Sequence, residues 1–200
     1  GARMKKDGLS GADYLRTFDR VSRMKIDRQA SDREDSLEAS ITLSVDAAFA
    51  NAEDEKLLYH TFGIFPEDTP VPQQTVMQLW RHLRPDVDEF DLLETLNALV
   101  DLALVNRHED RTLTLHDLIL SYSREKLDER YVQIHNDLLD SYNPNGISWD
   151  RVIDDNFLYN HLIYHLHNAR RIDAIHKLFA DEQWLHARLQ VDHEYGFYIS

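Results

Sequence analysis

Apolar residues recur at three- and four-residue steps along most of the 200-residue chain, and the places where that period fails divide it into elements. Tyr14, Leu15, Phe18 and Val21 mark a basic amphipathic stretch that ends near Ile26, followed from Asp27 to Glu38 by charged residues and Ser, which read as a linker. Leu37, Ile41 and Val45 form the next stripe. Leu57, Leu58, Phe62 and Phe65 form another, with Asn51 as the expected N-cap and acidic residues suited to the dipole of the first turn. Phe65-Pro66-Glu67-Asp68-Thr69-Pro70 predicts a turn, and Pro72 fits the first position of a helix carrying Val76, Leu79 and Trp80, which Arg84-Pro85 breaks. A third helix is expected over Asp88 to Leu102, with Phe90, Leu93, Leu96 and Val100 on one face.

The period then changes. Ala103 to Asn106 and Thr112 to Leu115 are short, Leu-rich or β-branched, and they flank the polar turn Arg107-His108-Glu109-Asp110, a hairpin pattern. Three helices followed by a small hairpin is the order of a winged helix. Helical periodicity resumes from His116 to Leu127, and again near Tyr131 to Tyr142, Asn156 to Ala169, Ile172 to Phe179 and Gln183 to Leu189. These last segments pair as antiparallel helical hairpins. The fold class expected is therefore mainly α: a winged-helix domain with a small β-hairpin wing, then an α-helical hairpin domain.

Composition narrows the function. Cysteine is absent, which removes disulfides, cysteine zinc sites and thiol nucleophiles and suits a reducing, cytoplasmic setting. No run approaches the length of a membrane span, and the N-terminal stretch lacks the apolar core of a signal peptide. Lys+Arg 22 against Asp+Glu 36 gives a net charge of −14, which opposes nucleic acid and favours a basic partner or another part of the same protein. A DNA-reading winged helix is the alternative function, but Asp86, Asp88, Glu89, Asp91 and Glu94 crowd the start of the helix that would enter the major groove.

The chain has neither a phosphate-cradling G-x-x-x-x-G-K-[ST] pattern nor G-x-G-x-x-G nor G-x-S-x-G, so catalysis by this chain alone is not expected. Leu115-His116-Asp117-Leu118 stands where a strand gives way to a helix. Free amides at a helix start attract an anion, and an imidazole beside them can donate to a phosphate oxygen; the plainer role is that Asp117 favours the helix dipole while His116 packs at the strand end. Adjacent His-Asp is also the central pair of HD-type metal-dependent phosphohydrolases, with His60, His82 or Asp137 as candidate further ligands at spacings that specify nothing. His161 and His165, one turn apart, could share a metal, but His165 lies on the stripe of Leu158, Leu162 and Ala169, which points to a packed core histidine.

Leu43-Ser44-Val45-Asp46, the Phe62-Gly63-Ile64-Phe65-Pro66 core of Leu57 to Asp68, Leu79-Trp80 and Leu115-His116-Asp117-Leu118, in that order, resemble the later part of the NB-ARC module of signal-transduction ATPases. Tyr159 to Leu166, Ala169-Arg170-Arg171 and Trp184-Leu185 resemble the helical domain of its apoptotic protease-activating branch. The resemblance implies residues 1–36 as the end of a first helical domain and linker, 37–127 as the winged-helix domain, and 128–200 as an incomplete second helical domain. It further implies that the chain is a fragment without the phosphate loop, whose intact parent binds ADP or ATP with Mg. By the same resemblance His116 senses the β-phosphate of ADP and holds the inactive state, with Asp117 orienting the loop and helix start. The implied partners are an intramolecular nucleotide-binding domain, a C-terminal WD-repeat domain, and further copies in a homo-oligomer.

Overall fold

The computed structural model describes residues 39–43, 45, 49 and 52–196, with side chains up to 189; the expected basic helix before Ile26, the linker after it and the Asn51 cap lie outside the described residues. Residues 39–43 and 45 are helical, and Ile41, Val45 and Phe49 are buried. Helix α1 (Glu53–His60) follows Ala52, with Glu53, Asp54 and Glu55 in its first turn, and tightens into a 3-10 turn over Thr61–Ile64. Strand β1 (Val71–Pro72) leads into α2 (Gln73–Leu83), so Pro72 stands just before that helix, on an edge strand where its missing N–H costs no ladder bond.

Helix α3 (Glu89–Asp101) is capped by the Asp88 carboxylate, which accepts from the Phe90 amide at 2.7 Å. Its buried face is Leu92, Leu96 and Leu99, whereas Phe90 is 64% exposed. The expected stripe through Phe90 is thus rotated: Leu93 and Val100 stay at its edge, but the Phe90 ring leaves the core. Strands β2 (Asn106–Arg107) and β3 (Thr112–Thr114) make the hairpin, shorter than expected because Ala103 turns at φ 56 and Leu104 and Val105 enter the core before pairing begins. Among the described residues the sheet has the order β1-β3-β2, all antiparallel, with Val71 opposite Leu113 and Arg107 opposite Leu113 on the other side.

Helix α4 (Asp117–Leu127) leaves the hairpin, and a 3-10 turn at Asp128–Arg130 passes the chain to α5 (Tyr131–Tyr142), α6 (Leu158–Asn168), α7 (Ile172–Ala180) and α8 (Glu182–Gly196). The α5 bounds agree with the periodicity. Packing runs through residue 127: Ile134, Leu138 and Phe157 belong to the same core as Phe62, Leu79 and Trp80. A second cluster gathers Leu162, Leu166, Leu178 and Trp184, with the Tyr159 and Trp184 rings 4.7 Å apart at their centroids. Tyr159 also points its hydroxyl into the carbonyls of Trp149, Asp150 and Val152 at 3.0 to 3.2 Å, which fastens the 3-10 turn Trp149–Arg151 to α6.

The 61–65 segment is the hub of the first core. Trp80 is fully buried, and its indole N–H donates to Thr61 Oγ1 at 2.9 Å while that hydroxyl donates to the Leu58 carbonyl at 2.6 Å. Gly63 presses on α4 so closely that a Cβ there would sit 2.4 Å from the Arg124 amide nitrogen and 2.6 Å from its Cα. Arg124 completes the contact, donating from Nε to the Gly63 carbonyl at 3.1 Å and from Nη2 to the Phe65 carbonyl at 3.3 Å. Since the obstruction is backbone, a methyl group must separate the two segments. Gly63→Ala is expected to lower the stability by at least about 2 kcal/mol, read as a shift of the urea midpoint.

Candidate functional site

Where β3 runs into α4, a cleft of about 360 Å³ opens between Leu113 to Asp117 on one side and Phe65, Pro66, Asp68 and Thr69 on the other. His116 and Asp117 both lie on its rim and are exposed. His116 is the N-cap of α4: its Nδ1 accepts from the Leu118 amide at 3.4 Å, and its carbonyl accepts from Ile119 at 2.8 Å and Leu120 at 3.0 Å. Three amides of the first turn are therefore bonded within the chain, leaving little free backbone to cradle an anion. With Nδ1 acting as acceptor, the neutral ring carries its proton on Nε2, a single donor free to meet an acceptor.

The charge around that donor is negative. Asp68, at φ 53, and Asp117 line the cleft, and among the described residues lining it there is no Lys or Arg. These residues suit one hydrogen bond to a phosphate oxygen presented from outside. They do not form a phosphate-holding pocket, which would need several donors or positive charge to offset the carboxylates.

The remaining sequence candidates lie elsewhere. His60 is buried at the end of α1, its ring 5.6 Å from that of Tyr122; His82 is exposed at the end of α2; Asp137 accepts from Gln133 on the outer face of α5. Among the described residues no group of three or more His, Asp or Glu is close enough to hold a metal ion. His161 and His165 do not converge on a common point: His165 turns inward to His135, with Nδ1 to Nδ1 2.9 Å, and both of these rings are buried. The core placement of His165 on the Leu158 and Leu162 stripe agrees with the sequence.

Two polar features had no local signal because their members are far apart in the chain. In the first, one of the His135 and His165 rings donates its Nδ1–H to the other, and among the described residues neither Nε2 has a hydrogen-bond partner. Phe65, Phe157, Tyr131 and Tyr164 surround the pair with ring contacts. Burial pushes His135 down to about 3, with the nearby Arg124 charge adding to it, and burial with His135 and His161 alongside pushes His165 well below the usual imidazole range.

In the second, Asp155 joins three elements. Its Oδ2 accepts from Thr75 Oγ1 of α2 at 2.5 Å and from the Tyr142 hydroxyl at the end of α5, while Oδ1 accepts from the Phe157 and Leu158 amides at 3.1 Å and so starts α6. Burial, then the Asp155 charge, raises the Tyr142 phenol far above its ordinary value, so it acts as a fixed donor. The Asp155 cluster holds α5 and the start of α6 against the preceding unit, while the histidine pair ties α5 to α6 and meets that unit only through the Phe65 ring.

The helices from α5 onward pack on one another in sequence as a helical unit. Residues 131–195 match the family described as the APAF-1 helical domain, a non-catalytic domain, over about a third of the chain. No curated protein matches the chain.

The buried histidines give the stability a pH dependence. Both are held neutral in the fold, whereas the unfolded chain protonates them near pH ~6.5, so their contribution is complete above that value and is lost as pH falls towards the folded values. Urea midpoints compared at about pH 7.5 and pH 5 should fall with acidification, by up to about 1.4 kcal/mol per pH unit for each imidazole. A flat profile across that range would contradict the neutral buried pair.

Proposed function

We propose that the chain is a regulatory and interaction segment of a nucleotide-switched signal-transduction ATPase of the apoptotic protease-activating type. The observation that carries this reading is the match of residues 131–195 to the APAF-1 helical domain, packed directly behind a unit whose elements run helix, strand, helix, helix, hairpin. That order supports reading 37–127 as a winged-helix domain, with β2 and β3 as its wing, and 128–200 as the second helical domain. The cytoplasm and an intramolecular nucleotide-binding domain follow from the same reading, as do a WD-type C-terminal domain and oligomers of the intact protein.

Within it, His116 is the phosphate sensor. The neutral ring uses Nδ1 to hold the start of α4 and keeps Nε2–H for an ADP β-phosphate oxygen presented by the nucleotide-binding domain, where ADP or ATP with Mg would be held. One hydrogen bond is a suitable strength for a latch, because a charge-assisted contact contributes about 1.5–3 kcal/mol and can be broken by a change of nucleotide state. The acidic Asp68 and Asp117 oppose an anion held without the rest of the site, so the contact forms only where another domain supplies the positive charge. Asp117 orients the helix start through its place in the first turn.

The rival chemistries have less behind them. An HD phosphohydrolase needs ligands gathered around His116 and Asp117, and His60, His82 and Asp137 sit on other faces. A DNA reader needs a cationic α3, and this one is acidic.

The experiment is His116→Ala in the intact ATPase, with nucleotide released by denaturation and quantified. ADP retention should fall at least about tenfold, the equivalent of one charge-assisted hydrogen bond, and resting signalling should rise. Unchanged retention with unchanged resting activity would overturn the sensor role, while the absence of any bound nucleotide in the wild-type protein would overturn the ATPase reading itself.

A further inference from the structure

Helix α3 buries Leu92, Leu96 and Leu99, so its opposite face, through Phe90, Asp91, Glu94 and Asp101, is turned to solvent. That face combines two things a solvated helix surface does not need. The Phe90 ring is 64% exposed, although moving its position into the core phase would bury it. Around it stand carboxylates, of which Glu89 is paired with Arg81 at 3.2 Å, Asp86 with Arg84 at 3.1 Å, and Asp88 is committed to its cap. Asp91, Glu94 and Asp101 have no side-chain hydrogen bond or ion pair among the described residues.

We propose that this unpartnered face of α3 docks a cationic amphipathic segment of a partner protein, with Phe90 as the apolar anchor and Asp91 and Glu94 meeting Lys or Arg on either side. Charge complementarity selects the occupant. A second copy docking through the same acidic face would bring like charge to the patch, and a nucleic acid would bring phosphates. A neutral apolar partner would cover Phe90 but would leave the flanking carboxylates desolvated and unpaired. A lysine- or arginine-rich helix with one apolar stripe satisfies both features at once, in the helix-against-helix mode of peptide recognition. The surface is the one a DNA-binding winged helix would turn to the major groove, here with its charge reversed. The inference rests on α3 alone and stands whether or not His116 senses a nucleotide.

The test uses the whole chain and a synthetic amphipathic helix of lysines and leucines, with a lysine-only peptide of equal charge and a short DNA duplex as comparators. Backbone amide resonances of residues 89–101 should shift saturably with the amphipathic peptide, and the affinity should fall as salt is raised. Phe90→Ser should weaken binding at least tenfold, and Asp91→Asn with Glu94→Gln should weaken it and flatten the salt dependence; these exposed positions should leave the urea midpoint unchanged. Shifts centred away from α3, equal binding of the lysine-only peptide, preferential binding of the duplex, or an α3 shift with protein concentration alone would each overturn the proposal.

Discussion

Gly63 and Arg124 meet backbone to backbone, and most of what surrounds them follows from that approach. With no Cβ between them, the 3-10 turn at 61–64 lies flat on α4, and the Arg124 guanidinium can reach back to the carbonyls of Gly63 and Phe65. Those carbonyls lie where a helix ends, so the arginine supplies donors that the interrupted helical ladder does not. The contact fixes the far end of α4 against the first core and thereby sets where its near end, at His116, emerges beside the 65–69 turn. It also fixes Phe65, whose ring reaches Phe157 at 5.6 Å and His165 at 6.1 Å across the junction. A single close approach thus links the cleft to the helical domain behind it.

The junction is held by apolar and polar contacts of different kinds. Phe65 and Phe157 supply burial without direction, whereas Thr75, Tyr142 and Asp155 converge on one carboxylate with defined geometry. A partly buried carboxylate is costly unless its lone pairs are filled, and Asp155 fills them from two hydroxyls and two amides. The histidine pair satisfies only its Nδ1 atoms, so it is the less well compensated of the two polar features. The Asp155 cluster requires α5 and the start of α6 to keep their angle to the first unit, and the histidine pair fixes α5 against α6. A relay of the kind proposed, in which a change of nucleotide state at one end is read at the other, would need this stiffness, because a joint with only apolar contacts would slide.

Much of the element order was legible in the sequence, since it rests on local period. Tyr131 to Tyr142 carries a clean stripe and folds with those bounds, and the Arg84-Pro85 stop and the polar hairpin turn are where their chemistry predicts. Phase was harder. In α3 the residues Phe90, Leu93, Leu96 and Val100 fit one face as well as Leu92, Leu96 and Leu99 fit another, and packing against α2 selected the second. Of the cleft, His116 and Asp117 were legible as a helix start, but Asp68 and Thr69 opposite them were not, because only the Gly63 contact brings that turn near. His135 with His165, and Thr75 with Asp155, are separated by 30 and 80 residues, so no spacing rule could pair them.

The cleft and the α3 face place acid at both candidate contact surfaces, and this gives the net charge of −14 a structural meaning. Asp68 and Asp117 make the His116 donor ineffective towards free phosphate in solution, where the carboxylates repel the anion before one hydrogen bond can form. In the proposed sensing role, the same donor would become effective once a neighbouring domain neutralises the phosphate, since repulsion then falls away while the hydrogen bond remains. Selectivity for a phosphate already held elsewhere would, in that proposed role, come from the acidic rim. On the docking face proposed for α3 the opposite sign of partner would be selected by the same means, so both surfaces would restrict what touches them through charge before contact is made. If His116 has the proposed role, the chain would discriminate nucleotide states in this way, by responding only to a phosphate that another part of the protein presents.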